Sequence, residues 1–366
     1  VQDNVPPFCT SPGAASINGT IDTEDANFIQ NVEVDLQGNV PGLPGPEYTG
    51  AGGEYGFPGL VNGANYTVTP DKNVDPLNGV TTYDLVLISK HILGIEALPT
   101  PYKMIAADIN NSGSISTIDM VELRKLILFI DTEFQNNTSW RFVDAEFVFP
   151  NANNPWATSF PEVFSINDLN GSAFADFVGV KTGDVNGSAI ANDLMSGDDR
   201  NAVGDLIFNI DNVDMVAGEQ YTVNFNAKDF ANILGYQFTL AFDKDAVEFV
   251  NVESGKLADL DANNFGMSLL EEGVITTSWN ATQAASLENA DVVFSVTFTA
   301  KSNTQLSDVI SVNSRYTKAE GYNGNAEFLN IGLTFNNGSV VSGDFDLYQN
   351  QPNPFKAETV IGFNLP

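Results

Sequence analysis

The sequence predicts a multi-domain, mainly β chain in which two β-sandwiches flank a pair of loop–helix repeats. Three observations carry that prediction. Two long regions break into short runs of alternating apolar and polar residues, cut by Gly- and Pro-rich turns, which is the pattern of half-buried strands. The stretch between them has helical apolar spacing. That stretch also repeats: Thr82–Leu93 aligns with Thr117–Leu128 at a constant offset of 35 residues. A unit recurring at fixed spacing is an architectural signal in its own right.

Composition narrows the function. The 366 residues have room for two or three domains. The chain carries 47 acids against 15 bases, a formal charge of −32. That excludes nucleic acid and anionic membrane surfaces as partners, since both need basic patches. No apolar run approaches the roughly 20 residues that span a bilayer. The single Cys9 gives no internal disulfide. Low charge density (17%) with abundant Gly, Asn, Thr and Phe suits extracellular β modules, so a secreted, extracellular or cell-surface location is expected. The start at Val1, with no signal peptide, predicts a processed chain or a fragment.

Residues 1–14 read as an N-terminal segment, and Val1–Cys9 resembles a join between tandem extracellular repeats. Residues 15–70 then supply four strand runs: Ser16–Ile21, Val32–Leu36, Glu54–Phe57 and Asn65–Thr69. Their spacing predicts a small β-sandwich. Their order resembles the carboxypeptidase regulatory-like fold, which implies a non-catalytic spacer or stalk.

Residues 71–190 hold the repeats. In the second, Asp108, Asn110, Ser112, Ser116 and Asp119 stand at positions 1, 3, 5, 9 and 12 of a loop. Ser114 lies at position 7, Gly113 at the sharp turn of position 6 and Ile115 at position 8. This spacing wraps hard oxygens around one cation, as calcium requires. Position 12 is Asp where the EF-hand pattern has Glu. The plainer alternative is a polar turn with Asp119 as a helix cap. The first loop is irregular. A twelve-residue count from Asn73 puts Leu77 at position 5. A longer loop uses Asp71, Asn73, Asp75 and Asp84 and supplies three carboxylates, so it is preferred. A third fragment, Asp184, Asn186 and Ser188, copies the start of such a loop but has Met195 where a closing acid belongs. It is either a weak third site or a strand-to-turn element.

These residues, and the run Asp75–Leu85 above all, resemble dockerin type I repeats in the form common in large secreted proteins of Bacteroidota. The resemblance implies calcium as cofactor and docking onto a cohesin. Apolar residues at 85, 88, 92 and 95, and at 120, 123, 127 and 130, give each helix one apolar face. The aromatic-rich extension, with Trp140, Phe142, Phe147, Phe149, Trp156, Phe160 and Phe164, is expected to pack on the two helices. An aromatic glycan platform is the sharper alternative.

Residues 191–204 form a linker. Residues 205–342 contain seven strand runs: Asp205–Ile210, Gln220–Ala227, Gly235–Phe242, Ala246–Val252, Val274–Ala281, Asp291–Ala300 and Ile331–Val341. Gly235–Phe249 and Phe294–Lys301 resemble a cohesin-type sandwich, which implies a sheet face that receives a dockerin helix pair. A generic sandwich spacer is the alternative, because fold does not fix function. Residues 343–366, with Leu347–Phe355 at their centre, resemble the start of a type IX secretion sorting domain. That implies export across an outer membrane, then release or surface attachment.

No active site is expected. The lone His91 sits on the first repeat helix, and no nucleophile elbow, H-E-x-x-H or phosphate loop occurs. Asn-x-Ser/Thr sequons fall at Asn18, Asn65, Asn110, Asn136, Asn137, Asn170, Asn186, Asn280 and Asn337. The expected function is a calcium-stabilised structural or adhesive protein that self-associates head to tail into a surface fibre. The alternative is the anchoring or stalk region of a larger secreted adhesin or glycan-degrading enzyme. Partners are then a second copy, another cohesin- or dockerin-bearing protein, or glycans. An intramolecular dock would instead leave a compact monomer.

Overall fold

The computed structural model describes residues 15–193 and 202–336, with two further short strands, Asp346–Leu347 and Phe363–Asn364. The expected N-terminal segment, the centre of the linker and most of the sorting-domain stretch lie outside the described residues. The chain forms two compact units. One comprises residues 1–79, 98–115 and 136–197, the other residues 80–97, 116–135 and 198–366.

In the first unit, strands β1 (Ala15–Asp22), β2 (Glu33–Gly38), β3 (Glu47–Tyr48), β4 (Glu54–Leu60) and β5 (Tyr66–Asp71) cover the predicted runs. Three helices follow: α1 (Thr82–Ile92), α2 (Pro101–Ala107) and α3 (Thr117–Ile127). Of these only α2 belongs to the first unit. Then come β6 (Trp140–Asp144), β7 (Phe164–Ile166), β8 (Ser172–Phe174) and β9 (Phe177–Lys181).

One sheet runs β4-β1-β9-β6, with β8 also on β1, and the other runs β3-β2-β5-β7. Alternate residues of both sheets meet in one core that includes Ile17, Ile21, Val34, Phe57, Val68, Trp140, Phe142 and Phe177. Gly19 of β1 has no alternative, since a Cβ there would lie 2.0 Å from the Ala175 carbonyl oxygen.

This corrects the expected division at residue 70. The strands of 15–71 supply only part of each sheet, and β6 to β9 complete both. The physical reason is strand direction. β1 pairs with β8 and β9 in parallel, and parallel neighbours need a long connection. The aromatic extension is corrected with it. Trp140 and Phe142 enter the sandwich core, while Phe147, Phe149 and Phe160 cluster with Tyr102 of α2.

The second unit is a larger sandwich. Its strands are β10 (Gly204–Asp211), β11 (Asp214–Met215), β12 (Gln220–Lys228), β13 (Ile233–Phe242), β14 (Val247–Ser254), β15 (Phe265–Gly266) and β16 (Val274–Ala285). They continue with β17 (Val292–Ala300), β18 (Thr304–Gln305), β19 (Ile310–Asn313), β20 (Glu320–Asn323) and β21 (Phe328–Asn336). The main order is β14-β17-β12-β10-β21-β20-β13-β16-β15, with β19 on β13. Each of the seven predicted runs corresponds to a strand, the last ending at Asn336 within the described residues. Its core is aromatic: Phe208, Phe225, Phe238, Trp279, Phe294 and Phe298 are fully buried.

Helices α1 and α3 pack on each other in this unit, with Leu85, Ile88, Leu123 and Ile127 buried. Ile95 and Ile130 were expected on the apolar faces but are exposed. Both lie beyond the helix ends, where the helical period no longer applies.

Candidate calcium loops and helix-docking face

The loop opening at Asp108 turns sharply around the Asp108 carboxylate. The buried Asp108 carboxylate accepts the Ser112 N–H at 2.8 Å and the Gly113 N–H at 2.8 Å. Asn110 Oδ1 also accepts the Ser112 N–H, at 3.0 Å. Ser112 Oγ lies 3.2 Å from Ser114 Oγ. Asn111 and Gly113 both take positive φ, 55° and 77°, which turns the chain sharply enough to gather these oxygens. Asn137 donates to the Asp108 carbonyl at 2.9 Å, and the Trp156 ring packs over Gly113.

In the second unit, Ser116 caps α3, and Asp119 Oδ2 accepts both the Ser116 N–H at 2.8 Å and its hydroxyl at 3.0 Å. Thr81 and Asp84 build the same box on α1, at 2.8 and 3.2 Å. The two proposed closing acids therefore share one structural role, which the duplication predicts.

In the first unit, Asp71 closes β5 and Asp75 takes a φ of 49°. Asn73 Oδ1 accepts the Ser139 N–H at 2.9 Å. The third fragment lies against this loop. Asn78 exchanges two hydrogen bonds with the Ile190 backbone, at 2.8 and 2.9 Å, and Ser188 Oγ donates to the Gly79 carbonyl at 2.9 Å.

Asp184 copies Asp108 closely. It accepts the N–H groups of Ser188 and Ala189, four and five residues on, at 3.0 and 2.8 Å, and Asn186 Oδ1 accepts the Ser188 N–H at 3.0 Å. Burial pushes the Asp184 carboxyl above its usual range. The Ser188 and Ala189 N–H groups and the charges of Lys103 and Lys181 oppose that shift.

Among the described residues no group of three or more His, Cys, Asp or Glu side chains is poised to hold a metal. A calcium loop draws as much on Asn, Ser and carbonyl oxygens as on carboxylates. The donors at 108–119 are all oxygen, which fits a hard cation and no softer one.

The second feature is a helix-covered sheet face, which the cohesin-type resemblance implies but whose residues the sequence reading did not name. Strands β13 and β16 pair with Gln237 opposite Ser278 and Thr239 opposite Thr276. Alternation turns these four away from the aromatic core, where solvent is the usual neighbour. All four are nonetheless buried, because α1 and α3 cover them.

The contacts are directed at helix ends. The Thr82 N–H, at the start of α1, donates to Gln237 Oε1 at 2.6 Å, and the Thr82 and Ser278 hydroxyls are 2.6 Å apart. At the end of α3, Thr276 Oγ1 donates to the Leu128 carbonyl at 2.6 Å and Thr317 Oγ1 to the Ile127 carbonyl at 2.6 Å. Thr239 in turn holds Thr317 through its backbone, at 2.9 and 3.0 Å. A helix leaves its first N–H and last C=O groups without intrahelical partners. Here the sandwich satisfies one such N–H at the start of α1 and two such carbonyls at the end of α3.

Side chains complete the seat. Arg124 Nη2 donates to Asn280 Oδ1 at 2.5 Å. Tyr83 stacks on Tyr322, with ring centroids 5.2 Å apart, and Phe129 meets Tyr316 edge-on at 5.2 Å. Gly266 leaves room for Leu128, because a Cβ there would lie 2.3 Å from the Leu128 oxygen. One signal for this face existed. Gly235, Gln237, Thr239, Thr276, Ser278 and Asn280 make an outward stripe without a single charge.

Residues 207–340 match the Cohesin domain family and residues 71–128 the Dockerin type I domain family. The chain therefore carries a cohesin β-sandwich and a dockerin helical region. No curated protein matches it. Among solved structures, a type I cohesin–dockerin complex from Clostridium thermocellum is 14% identical, covering 35% of this chain and 94% of that one, with a TM-score of 0.30. The seventh ScaB type I cohesin from Pseudobacteroides cellulosolvens is 26% identical, covering 40% and 98%, at 0.27. A non-cellulosomal cohesin from the archaeon Archaeoglobus fulgidus is 12% identical, covering 35% and 86%, at 0.25.

Proposed function

We propose that the chain is an extracellular, calcium-stabilised assembly protein. Its dockerin helices occupy the docking face of a cohesin sandwich, and exchange of that contact between copies links chains head to tail into a surface fibre. The carrying observation is the seating of the start of α1 and the end of α3 on the sandwich, through Gln237 of β13, Thr276 of β16 and Thr317 of the β19–β20 connection. Both matched modules are of non-catalytic, protein-binding kind.

The same contact made with a neighbouring copy is heterologous, and heterologous contacts propagate into rings or filaments. Made within one chain, it closes into a compact monomer.

Calcium acts structurally in this reading. The second site draws on Asp108, Asn110, Ser112, Ser114, Ser116 and Asp119, and the first on Asp71, Asn73, Asp75 and Asp84. A bound ion would draw the loop oxygens together, so ion binding is coupled to folding of the loop–helix pair. At Asp184 the flanking charges of Lys103 and Lys181 favour the turn reading over a third ion. Secretion, a cell-surface location and a second cohesin- or dockerin-bearing partner belong to the same proposal.

The test is electron microscopy of the purified chain in calcium and in chelator. Fibres that dissolve in chelator support the reading. Compact monomers in both conditions overturn fibre assembly and favour a stalk or anchor of a larger secreted protein.

A further inference from the structure

The openings of both repeat loops, 71–79 and 108–113, are held by a segment that belongs to neither repeat, residues 137–190. All three stretches lie in the first unit. The base of the segment is the antiparallel ladder of β6 and β9, which sets Trp140 opposite Lys181 and sends Trp140, Phe142 and Phe177 into the sandwich core. Just before β6, Asn137 donates to the Asp108 carbonyl at 2.9 Å. Two residues on, the Ser139 N–H donates to Asn73 Oδ1 at 2.9 Å. One end of a rigid ladder thus holds one point on each loop.

The second loop is gripped further by Arg141 of β6. Its Nε and Nη2 donate to Glu162, both at 2.8 Å, and its guanidinium lies 5.3 Å from the Phe160 ring centre. A planar fork fixed in this way has little freedom left. Its Nη1 donates to Asn111 Oδ1 at 2.9 Å. Asn111 sits between two proposed ligands, Asn110 and Ser112, and takes the positive φ on which the loop turns. The Trp156 ring covers Gly113, the next turning point.

The first loop is gripped from the far end of the ladder. Lys181, which ends β9 and is buried, donates from Nζ to the Pro76 carbonyl at 2.8 Å. The Asp184 turn then lies along the loop. Its backbone exchanges hydrogen bonds with Asn78, and Ser188 donates to the Gly79 carbonyl. The approach is so close that a Cβ on Gly79 would lie 2.5 Å from the Ala189 nitrogen. The third fragment therefore has work to do without an ion. The Asp184 carboxylate shapes a turn, and the turn holds the first loop.

We infer that residues 137–190 are a built-in brace that keeps both loop openings in shape before calcium arrives, with Arg141 and Asn78 as its positioning residues. The inference rests on the calcium reading above. It adds that the affinity is set outside the repeats. A site already shaped has less to order when it binds, and apparent affinity scales with the fraction of chains that are competent. Folding of the helix pair stays coupled to the ion; the loop openings do not.

Calcium titration calorimetry of the full chain, with hydrogen exchange in chelator, tests this. In chelator the Ser112 and Gly113 amides, which donate to the Asp108 carboxylate, should exchange slowly in the native chain. Arg141→Met should speed exchange at 112–113 and weaken calcium binding at that loop about tenfold, the result of a competent fraction falling to a tenth. Charge alone predicts the opposite sign, since removing a cation beside the loop favours a bound cation. Asn78→Ala should weaken binding at the first loop in the same way. If Arg141→Met does not fold, Asn111→Gly deletes the same contact at a positive φ that glycine accepts, with the same fall expected.

Unchanged or tighter binding in the folded variants overturns the brace and leaves the calcium reading intact. So does fast exchange of the Ser112 and Gly113 amides in the native chain in chelator. An absence of calcium binding to the native chain overturns the calcium reading, and the inference with it.

Discussion

Gln237 carries a burden that its residue type does not advertise. Its side-chain oxygen takes the Thr82 N–H inside a covered face. Gln237→Ala would leave that donor buried and unpaired, a loss of about 1–3 kcal/mol. Chemical denaturation of the full chain should show it as a lower midpoint at unchanged slope. Gly266→Ala acts by shape, pressing a methyl on the Leu128 carbonyl. It should loosen the helix pair while the aromatic core of the sandwich persists, visible as faster hydrogen exchange confined to 82–92 and 117–127. His91 adds a pH dependence. Burial holds its imidazole below the ordinary value, so the unfolded chain binds the proton more readily. Stability should therefore fall as pH drops through the unfolded value of about 6.5 and level off below the folded one. A His91→Gln variant that kept the same pH slope would exclude this source.

At the scale of elements, legibility followed periodicity. The β10, β12, β13, β16 and β17 strands span eight or more residues, and each stood out in the sequence. Helix α2 spans seven residues, too few for a helical period to register. The completing strands β7 and β8 span three residues each, and their partners lie roughly 100 and 156 residues upstream, Tyr66 opposite Ile166 and Ser16 opposite Ser172, where no local pattern points. The polar turn at 108–113 was legible because its spacing is local. The residues of the docking face were not, because they look like any solvent-facing polar stripe until the covering helices are known. The capping boxes on α1 and α3 give an element-scale prediction. Asp119→Ala removes the N-terminal box of α3, where the loss of a cap is worth roughly 0.5–2 kcal/mol, and also removes a proposed ligand. Its cost should therefore be larger in calcium than in chelator, measured as the difference in unfolding free energy between the two. Equal costs would mean that Asp119 caps the helix and does nothing more.

For the whole molecule, the order of the strands constrains what can fold alone. Both sheets of the first unit need β6 to β9, so a fragment of residues 15–79 should remain unfolded by circular dichroism, while a piece spanning 15–193 should show a cooperative transition. The charge of −32 raises a separate question about cations. A chain this acidic gains stability from any salt that screens self-repulsion, and a rise of Tm with calcium alone does not demonstrate loop binding. The two effects separate by charge and by geometry. Screening acts with sodium or magnesium at matched ionic strength, whereas loops of this spacing select the larger, more flexibly coordinated ion. We expect micromolar to millimolar calcium to raise the Tm of the native chain by several degrees beyond matched magnesium or sodium, following the linkage of binding to stability. That excess should shrink in Asp108→Ala, while the part due to screening stays. An excess untouched by Asp108→Ala would move the ion away from the loop at 108–119, and no excess at all would leave screening as the whole of the cation effect.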